Sequence, residues 1–283
     1  MTHQSHPRVA TAEEAAALWP AVRAERLFDS AEQFAAYRDA APWRVRVANR
    51  GEASVLGVWR SHLDLLAMRG VWGSASHVGA FVDDACAVAR EVGLGGVLSP
   101  LLPLDLLGPY RRAGLEVCEQ IVAIQGHTQG VLPVGPPPGI ALRRGDEADL
   151  PVLAVLDVAS FSDFWAYHEP DLAEYASTER LVVAETAEGE VIGYTLATVS
   201  GGAATLGRLA VAPQARRRGL ARALVADVAR WAEQTGALTL SLCTQESNAA
   251  ARGLYAASGL VEVANVYGFA IGSAKTRGAA RER

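Results

Sequence analysis

The sequence predicts an α/β protein with a mixed α+β sheet, built as two tandem domains of one fold. Three observations predict it. Short apolar runs alternate with amphipathic helical patterns along the whole chain. Gln129 to Gly139 is rich in Gly and Pro and contains Pro136-Pro137-Pro138, which suits neither helix nor sheet and reads as a linker. The halves on either side echo each other: Tyr110-x-x-x-Gly114-Leu115 matches Tyr255-x-x-x-Gly259-Leu260, and Val88-Ala89-Arg90 matches Val228-Ala229-Arg230. A duplication explains the echo; coincidence between two common α/β patterns is the alternative. The expected domains are 1–128 and 140–272, joined by 129–139, with a disordered arginine-rich tail over 273–283.

The elements follow in order. Thr11 to Leu18 is a helix with Thr11 as N-cap and Glu14 closing a capping box. Ala31 to Tyr37 is a second helical segment. Trp43 to Asn49 and Ala53 to Arg60 read as strands joined by the turn Asn49-Arg50-Gly51. Leu63 to Met68 is a third strand. His77 to Val92 is amphipathic, with Val78, Phe81, Ala85 and Val88 on one face. Gly96 to Leu102 is a strand, Leu104 to Arg112 a short helix and Glu116 to Ile124 a strand. Past the linker come a strand (Ile140 to Arg143), a helix begun by an acidic turn and Pro151 (Asp146 to Phe161), and a helical or loop segment (Phe164 to Tyr175). Leu181 to Glu185 and Val191 to Ser200 form a hairpin about Ala187-Glu188-Gly189. The last elements are a strand from Leu206, its following helix, a strand (Thr239 to Thr244), a helix (Ala249 to Ser258) and a strand (Val261 to Ile271).

Composition narrows the function. Half of the 283 residues are apolar and a fifth charged, which is globular. The net charge of −5 argues against a nucleic-acid protein. Lys275 is the one lysine among 26 basic residues, which reads as GC-rich bacterial composition. Cys86, Cys118 and Cys243 fit neither a disulfide framework nor a zinc site and are expected to be buried thiols of a reducing compartment. No metal site is expected. The N-terminus lacks a signal-peptide core and no apolar run reaches transmembrane length, so a cytoplasmic protein without membrane contact is expected. Nothing in the sequence fixes an oligomeric state.

One stretch departs from that average. Leu206 to Ala226 holds five arginines and no acid. A strand ends at Pro213, a loop carries Arg216, Arg217 and Arg218, and Gly219 opens a helix with Leu220, Leu224, Val228 and Trp231 at helical spacing. Free N–H groups at a helix start, a glycine and local positive charge make an anion site. The pattern is neither a P-loop nor a dinucleotide fingerprint. A solvated arginine cluster is the bland alternative.

Arg216-x-x-Gly219-x-Ala221 resembles the Arg/Gln-x-x-Gly-x-Gly/Ala loop of the GNAT superfamily of N-acetyltransferases. Leu209-Ala210-Val211-Ala212-Pro213 looks like the Leu-x-Val-x-Pro strand end that precedes it. Asn248-x-x-Ala251-x-x-Leu254-Tyr255-x-x-x-Gly259-Leu260 is similar to the family's second segment. The arrangement resembles tandem members such as mycothiol synthase, with a degenerate first copy: Ser74-Ala75-Ser76-His77-Val78-Gly79-Ala80 has no arginine where the second has Arg216 to Ala221.

The resemblance implies acetyl-CoA as co-substrate and a small-molecule primary amine as acceptor. Arg216, Arg217, Arg218, Gly219, Leu220 and Ala221 would hold the pyrophosphate. Leu209, Ala210 and Val211 would lie on a strand splayed from its neighbour, pairing with the pantetheine arm and polarising the thioester carbonyl. Asn248 and Ala251 match positions near the CoA arm, although Asn248 also suits an N-cap. Tyr255 matches the general acid, against a plain core tyrosine. The strand before the loop lacks the carboxylate that many members use as base, which leaves Glu246, His168 or a chain of waters. Phe161, Phe164, Trp165, His168 and Glu169 would form the acceptor wall, unless the aromatics pack into an inter-domain seam. Another acyl donor or acceptor, and a non-catalytic acyl-CoA-binding module, are the rival readings.

Overall fold

The computed structural model describes residues 6–275 except 26, 29 and 50. The first five residues, the Arg50 corner of the expected hairpin and the end of the expected tail from 276 onward lie outside the described residues. The chain divides into two compact units. Unit 1 comprises Met1–Trp59, Leu63–Gln120 and Tyr267–Arg283; unit 2 comprises Arg60–His62 and Ile121–Val266. This division runs through two strands instead of through residues 129–139.

Unit 1 contains, in order, β1 (Arg8–Val9), α1 (Ala12–Ala17), α2 (Trp19–Ala24), α3 (Ala31–Ala40), β2 (Val45–Val47), β3 (Ala53–Val58), β4 (Leu65–Trp72), α4 (Val78–Glu91), β5 (Gly96–Leu98), β6 (Leu102–Pro103), α5 (Gly108–Arg112) and the start of β7 (Glu116–His127). Unit 2 contains the rest of β7, then β8 (Ile140–Arg144), α6 (Leu150–Val158), α7 (Glu169–Ala176), β9 (Arg180–Thr186), β10 (Val191–Ser200), β11 (Ala203–Val211), α8 (Leu220–Gln234), β12 (Thr239–Gln245), α9 (Ala249–Ala257) and the first half of β13 (Val261–Ser273). In unit 1 the strands run β1-β2-β3-β4-β5, and the end of β13 pairs with β5 and β6. In unit 2 they run β7-β12-β11-β10-β9-β8. Each sheet is mixed: β4–β5 and β11–β12 are parallel, and the remaining pairs are antiparallel.

Local chemistry explains the boundaries. Thr11 caps α1, its side chain accepting from the Glu14 N–H while Glu14 reaches back to the Thr11 N–H. Asp146 and Asp149 form the same reciprocal pair before α6. Trp19–Ala24 turns out helical, with Pro20 at a first-turn position where its missing N–H costs nothing. The segment expected as one helix from Leu104 begins as a 3₁₀ turn (Leu104–Leu107) before α5.

The two units repeat a small set of devices. Each has a β-bulge in the strand before its central helix: Arg69 of β4 stands unmatched between Met68↔Leu56 and Gly70↔Val55, and Gly207 of β11 between Leu206↔Ala197 and Arg208↔Leu196. Each has a parallel pair just three residues long beyond that helix. The Tyr-x-x-x-Gly-Leu echo is a helix stop. Gly114 and Gly259 have φ of +80° and +90°, and the Leu115 and Leu260 N–H groups donate to the Tyr110 and Tyr255 carbonyls at 3.1 and 3.0 Å.

In unit 1, Leu56, Leu66, Met68, Phe81, Val82 and Val97 pack a core between sheet and α4. In unit 2, one cluster joins α6, β9, β10 and the start of α8, and a second joins β11, β12, α8 and α9. The cysteine expectation needs correction. Cys86 is buried on α4, but Cys118 and Cys243 are exposed. Leu240, Leu242 and Thr244 take the core positions of β12, and the two-residue alternation leaves Cys243 on the other face.

Candidate functional site

In unit 2, β11 and β12 pair only at Ala203↔Thr239, Ala204↔Leu240 and Thr205↔Ser241. Beyond that point β11 stays on β10 as far as Val211↔Gly193, and β12 stays on β7 as far as Gln245↔Ile121. The facing edges of Leu206–Val211 and Leu242–Gln245 therefore part, and the bulge at Gly207 bends β11 where the parting starts. Backbone N–H and C=O groups along Leu209, Ala210 and Val211 lose a ladder partner on that side and need another.

The loop after Val211 ends at α8. It passes through a 3₁₀ turn (Pro213–Ala215), then Arg216, and then two left-handed residues, Arg217 at φ +64° and Gly219 at φ +87°. Gly219 is the N-cap, with no side chain to satisfy the first helical N–H groups. A Cβ placed on Gly219 would meet no atom within 4 Å. Arg217, Arg218 and Gly219 are exposed, whereas the Leu220 side chain is 1% exposed and pins the helix start into the core. Ala221 packs at the edge of the same cluster. Arg216 differs from its neighbours: its Nε donates to the Val211 carbonyl at 3.0 Å, tying the loop back to the strand.

Asn248 caps α9, its Oδ1 accepting from the Ala251 N–H at 3.1 Å. Tyr255 lies one turn further on, 7% exposed. Its hydroxyl makes no hydrogen bond among the described residues. Burial, and then the neighbouring Cys243, push its pKa up to about 12. Glu246 stands exposed at the end of β12, and its carbonyl accepts from Arg252 at 3.0 Å.

The aromatic segment after α6 is held by a buried hub. Asp157, fully buried, accepts from Arg208 Nε at 2.8 Å, from Arg208 Nη2, from the Tyr194 hydroxyl and from the Tyr167 N–H at 2.6 Å. Arg208 Nη2 also donates to the Trp165 carbonyl at 2.9 Å. The guanidinium lies over Phe161 at 3.5 Å and Tyr167 at 4.0 Å. Phe164 meets Trp165 edge-on at 5.1 Å. His168 precedes α7, its N–H donating to Asp171 at 3.0 Å and its ring stacked on His62 at 4.0 Å. Glu169 is exposed in the first turn of α7.

Asp157, Tyr194 and Arg208 were not among the expected site residues. Arg208 was counted with the loop arginines, yet it faces the opposite way, into the core of unit 2. A second unexpected acid is Glu179, between α7 and β9. It is half-buried, and burial pushes its carboxyl up to about 7. A Cβ on Gly207 would come within 3.2 Å of its Oε2.

Residues 151–260 match the model of the Acetyltransferase (GNAT) family. An aminoglycoside N(6')-acetyltransferase type 1 of Klebsiella aerogenes is 30% identical over 112 residues, 35% of this chain and 74% of that protein. Among solved structures, a GCN5-related N-acetyltransferase from Sphaerobacter thermophilus superposes at TM-score 0.69 and 18% identity, covering 95% of each chain. A tandem GNAT protein from the clavulanic acid biosynthesis pathway superposes at TM-score 0.68 and 17% identity over 95% of this chain and 98% of that one. Among the described residues no helix is long and apolar enough to cross a membrane.

Proposed function

The chain belongs to the GNAT family of acetyl-CoA-dependent N-acetyltransferases, and from that premise we propose that unit 2 moves the acetyl group directly to a primary amine of a small molecule. The observation that carries the proposal is the parting of β11 from β12 beside an open, left-handed Gly219 at the start of α8. An extended pantetheine chain suits a strand edge stripped of its partner, and a pyrophosphate suits uncapped N–H groups beside Arg217 and Arg218. These features fit acetyl-CoA. Leu209, Ala210 and Val211 would supply the strand contacts, and an N–H of Leu209 or Ala210 the thioester polarisation. Arg216 acts indirectly in this reading, by fixing the loop on the Val211 carbonyl.

The reaction joins a neutral amine nitrogen to the thioester carbon as the C–S bond breaks and its electron pair leaves on sulfur. Tyr255 gives the leaving thiolate its proton, and the surplus proton of the new amide nitrogen restores the phenol through solvent. A phenol lifted to about 12 keeps its proton at every working pH. The acceptor meets the segment Phe161, Phe164, Trp165, His168 and Glu169, which favours an amine with an apolar or aromatic body flanked by acids. The aminoglycoside-modifying relative adds polyamino sugars to the amines worth testing.

The test is thermal unfolding with and without acetyl-CoA, followed by release of free CoA thiol with phenethylamine, tyramine and kanamycin as acceptors. Donor at ~100 times its Kd adds ~2.7 kcal/mol of stability. No shift at millimolar acetyl-CoA rejects the donor site. A shift without thiol release from a broad amine panel would instead make unit 2 a binding module.

A further inference from the structure

The expected base positions contribute little. The Glu246 carboxylate is exposed on the loop after β12, and His168 is engaged as the cap of α7 and stacked on His62. Another carboxylate lies against the strand that would present the thioester. Glu179 lies between α7 and β9, across from the bulge residue Gly207. A methyl group on Gly207 would fall 3.2 Å from its Oε2 and 3.6 Å from its Oε1. The absence of a side chain at the bulge is what gives the carboxylate its place. Among the described residues no side-chain or backbone donor bonds to it. Burial, then Tyr175, raise the pKa of Tyr167, the ring held under Arg208 in the acceptor segment, and Glu179 adds to that rise.

Position along the strand makes this useful. Leu209 follows Gly207 by two residues, about 7 Å along the strand, so the carboxylate stands near the backbone that would polarise the thioester. An amine held against that backbone would have the carboxylate within reach, directly or through one water.

We propose that Glu179 is the general base, accepting a proton from the acceptor's ammonium group directly or through one water. The inference rests on the acetyl-transfer reading above. The step balances simply. One N–H bond of R–NH₃⁺ breaks, its electron pair stays on nitrogen as the attacking lone pair, and the proton joins the Glu179 carboxylate. The carboxyl then loses it to solvent before the next cycle. A carboxylate near 7 suits this work, since a base is most effective when its pKa lies near the operating pH.

The experiment compares wild type with Glu179→Gln, using phenethylamine and its β,β-difluoro analogue, whose ammonium is far more acidic. Glu179→Gln is expected to lower kcat/KM for phenethylamine about 10²-fold at pH 7. The deficit should shrink as pH rises toward the amine's own pKa. The difluoro analogue, largely neutral already, should react nearly as well with the variant as with wild type. A merely structural role would penalise both amines equally at every pH, and that result overturns the assignment. Gly207→Ala, which crowds the same carboxylate, should shift the pH profile in the same sense while the acetyl-CoA thermal shift remains. Independently of turnover, the carbon resonance of the labelled Glu179 carboxyl, assigned with Glu179→Gln, should titrate near pH 7. An ordinary carboxylate value overturns the proposal even if acetylation is observed. Conversely, titration near 7 with no amine acetylated counts against the acetyl-transfer reading and not against the carboxyl's environment.

Discussion

The start of α4 in unit 1 and the start of α8 in unit 2 follow strands bulged at corresponding places, yet they are finished in opposite ways. Before α8 the chain passes through Arg217 and Gly219 in left-handed conformations and leaves the first helical N–H groups uncapped. Before α4 the N-cap is His77, at φ −93°. Its Nδ1 lies 2.7 Å from both Ser74 Oγ and Glu52 Oε1, and Ser74 Oγ lies 2.7 Å from Ser76 Oγ. Polar side chains thus close on themselves in unit 1 where unit 2 leaves an open helix start flanked by exposed arginines. The bulges differ in the same sense. Arg69 fills its own, over the Tyr37 ring at 5.4 Å, whereas Gly207 leaves room for a carboxylate. A fold can therefore be kept while one helix start is finished differently from another, because that start depends on a few loop residues and the sheet does not.

Filling the two helix starts should separate them most strongly. Gly219→Trp should abolish acetyl-CoA binding, because the indole occupies open space at the N-terminus of α8 and β-substituted residues resist φ +87°. Gly79→Trp, at an equally open position in the first turn of α4, should leave the acetyl-CoA thermal shift unchanged. Isothermal titration with acetyl-CoA checks both. Equal losses would mean that both units bind the donor.

The units also differ in what they bury. Among the described residues the buried charged side chains (Arg60, Asp149, Asp157, Asp171, Arg208 and Asp227) all belong to unit 2, while unit 1 buries the polar residues Ser54 and Ser99. Asp157→Ala should destabilise the protein by about 3–5 kcal/mol in urea unfolding, because Arg208 keeps a buried charge without its partner. Tyr194 and the Tyr167 N–H lose an acceptor in the same step. Arg208→Met, which removes the opposite partner, should also raise KM for the acceptor by loosening Phe161 to Tyr167. An acceptor KM that stays put would separate the hub from the site.

A smaller effect tests the echoed tyrosines. Tyr255→Phe should lower turnover about 10²-fold with donor affinity nearly intact. Tyr110→Phe, in the matching turn of unit 1, should leave turnover alone. Single-turnover rates with saturating acetyl-CoA distinguish the two.

The sequence was legible where function rests on backbone. Pro213, Gly219 and Gly259 announce a strand stop, an open helix start and a helix end, because each residue type is chosen for the dihedrals it permits. The Thr11–Glu14 capping box was readable for the same reason, since its partners are three residues apart. Long-range contacts were not readable. Asp157 and Arg208 are 51 residues apart in the chain, so an arginine among five looked like one more surface cation. Glu179 was not singled out in the sequence, because its neighbour Gly207 lies on a distant strand. Cys243 was misjudged because its apolar neighbour Leu242 points to the opposite face of the strand, and Cys118 because the start of β7, Val117 included, is exposed.

The finest test concerns what that carboxylate costs the fold. Burial pushes the folded Glu179 carboxyl up to about 7 from an ordinary value of about 4.5, so between those values the folded state holds the extra proton. Stability from this group is therefore complete below about 4.5 and is lost as pH rises through 7. Glu179→Gln carries no such ionisation. Its melting temperature should match wild type near pH 4.5 and exceed it at pH 8, by a few degrees at most, in calorimetry without acetyl-CoA. The Arg69 bulge of unit 1 carries no burdened acid, so Arg69→Gln should show no difference in melting temperature that grows with pH. A Glu179→Gln curve parallel to wild type across the whole range would mean that solvent reaches the carboxylate freely, and the contrast between the two bulges would then be one of shape and not of charge.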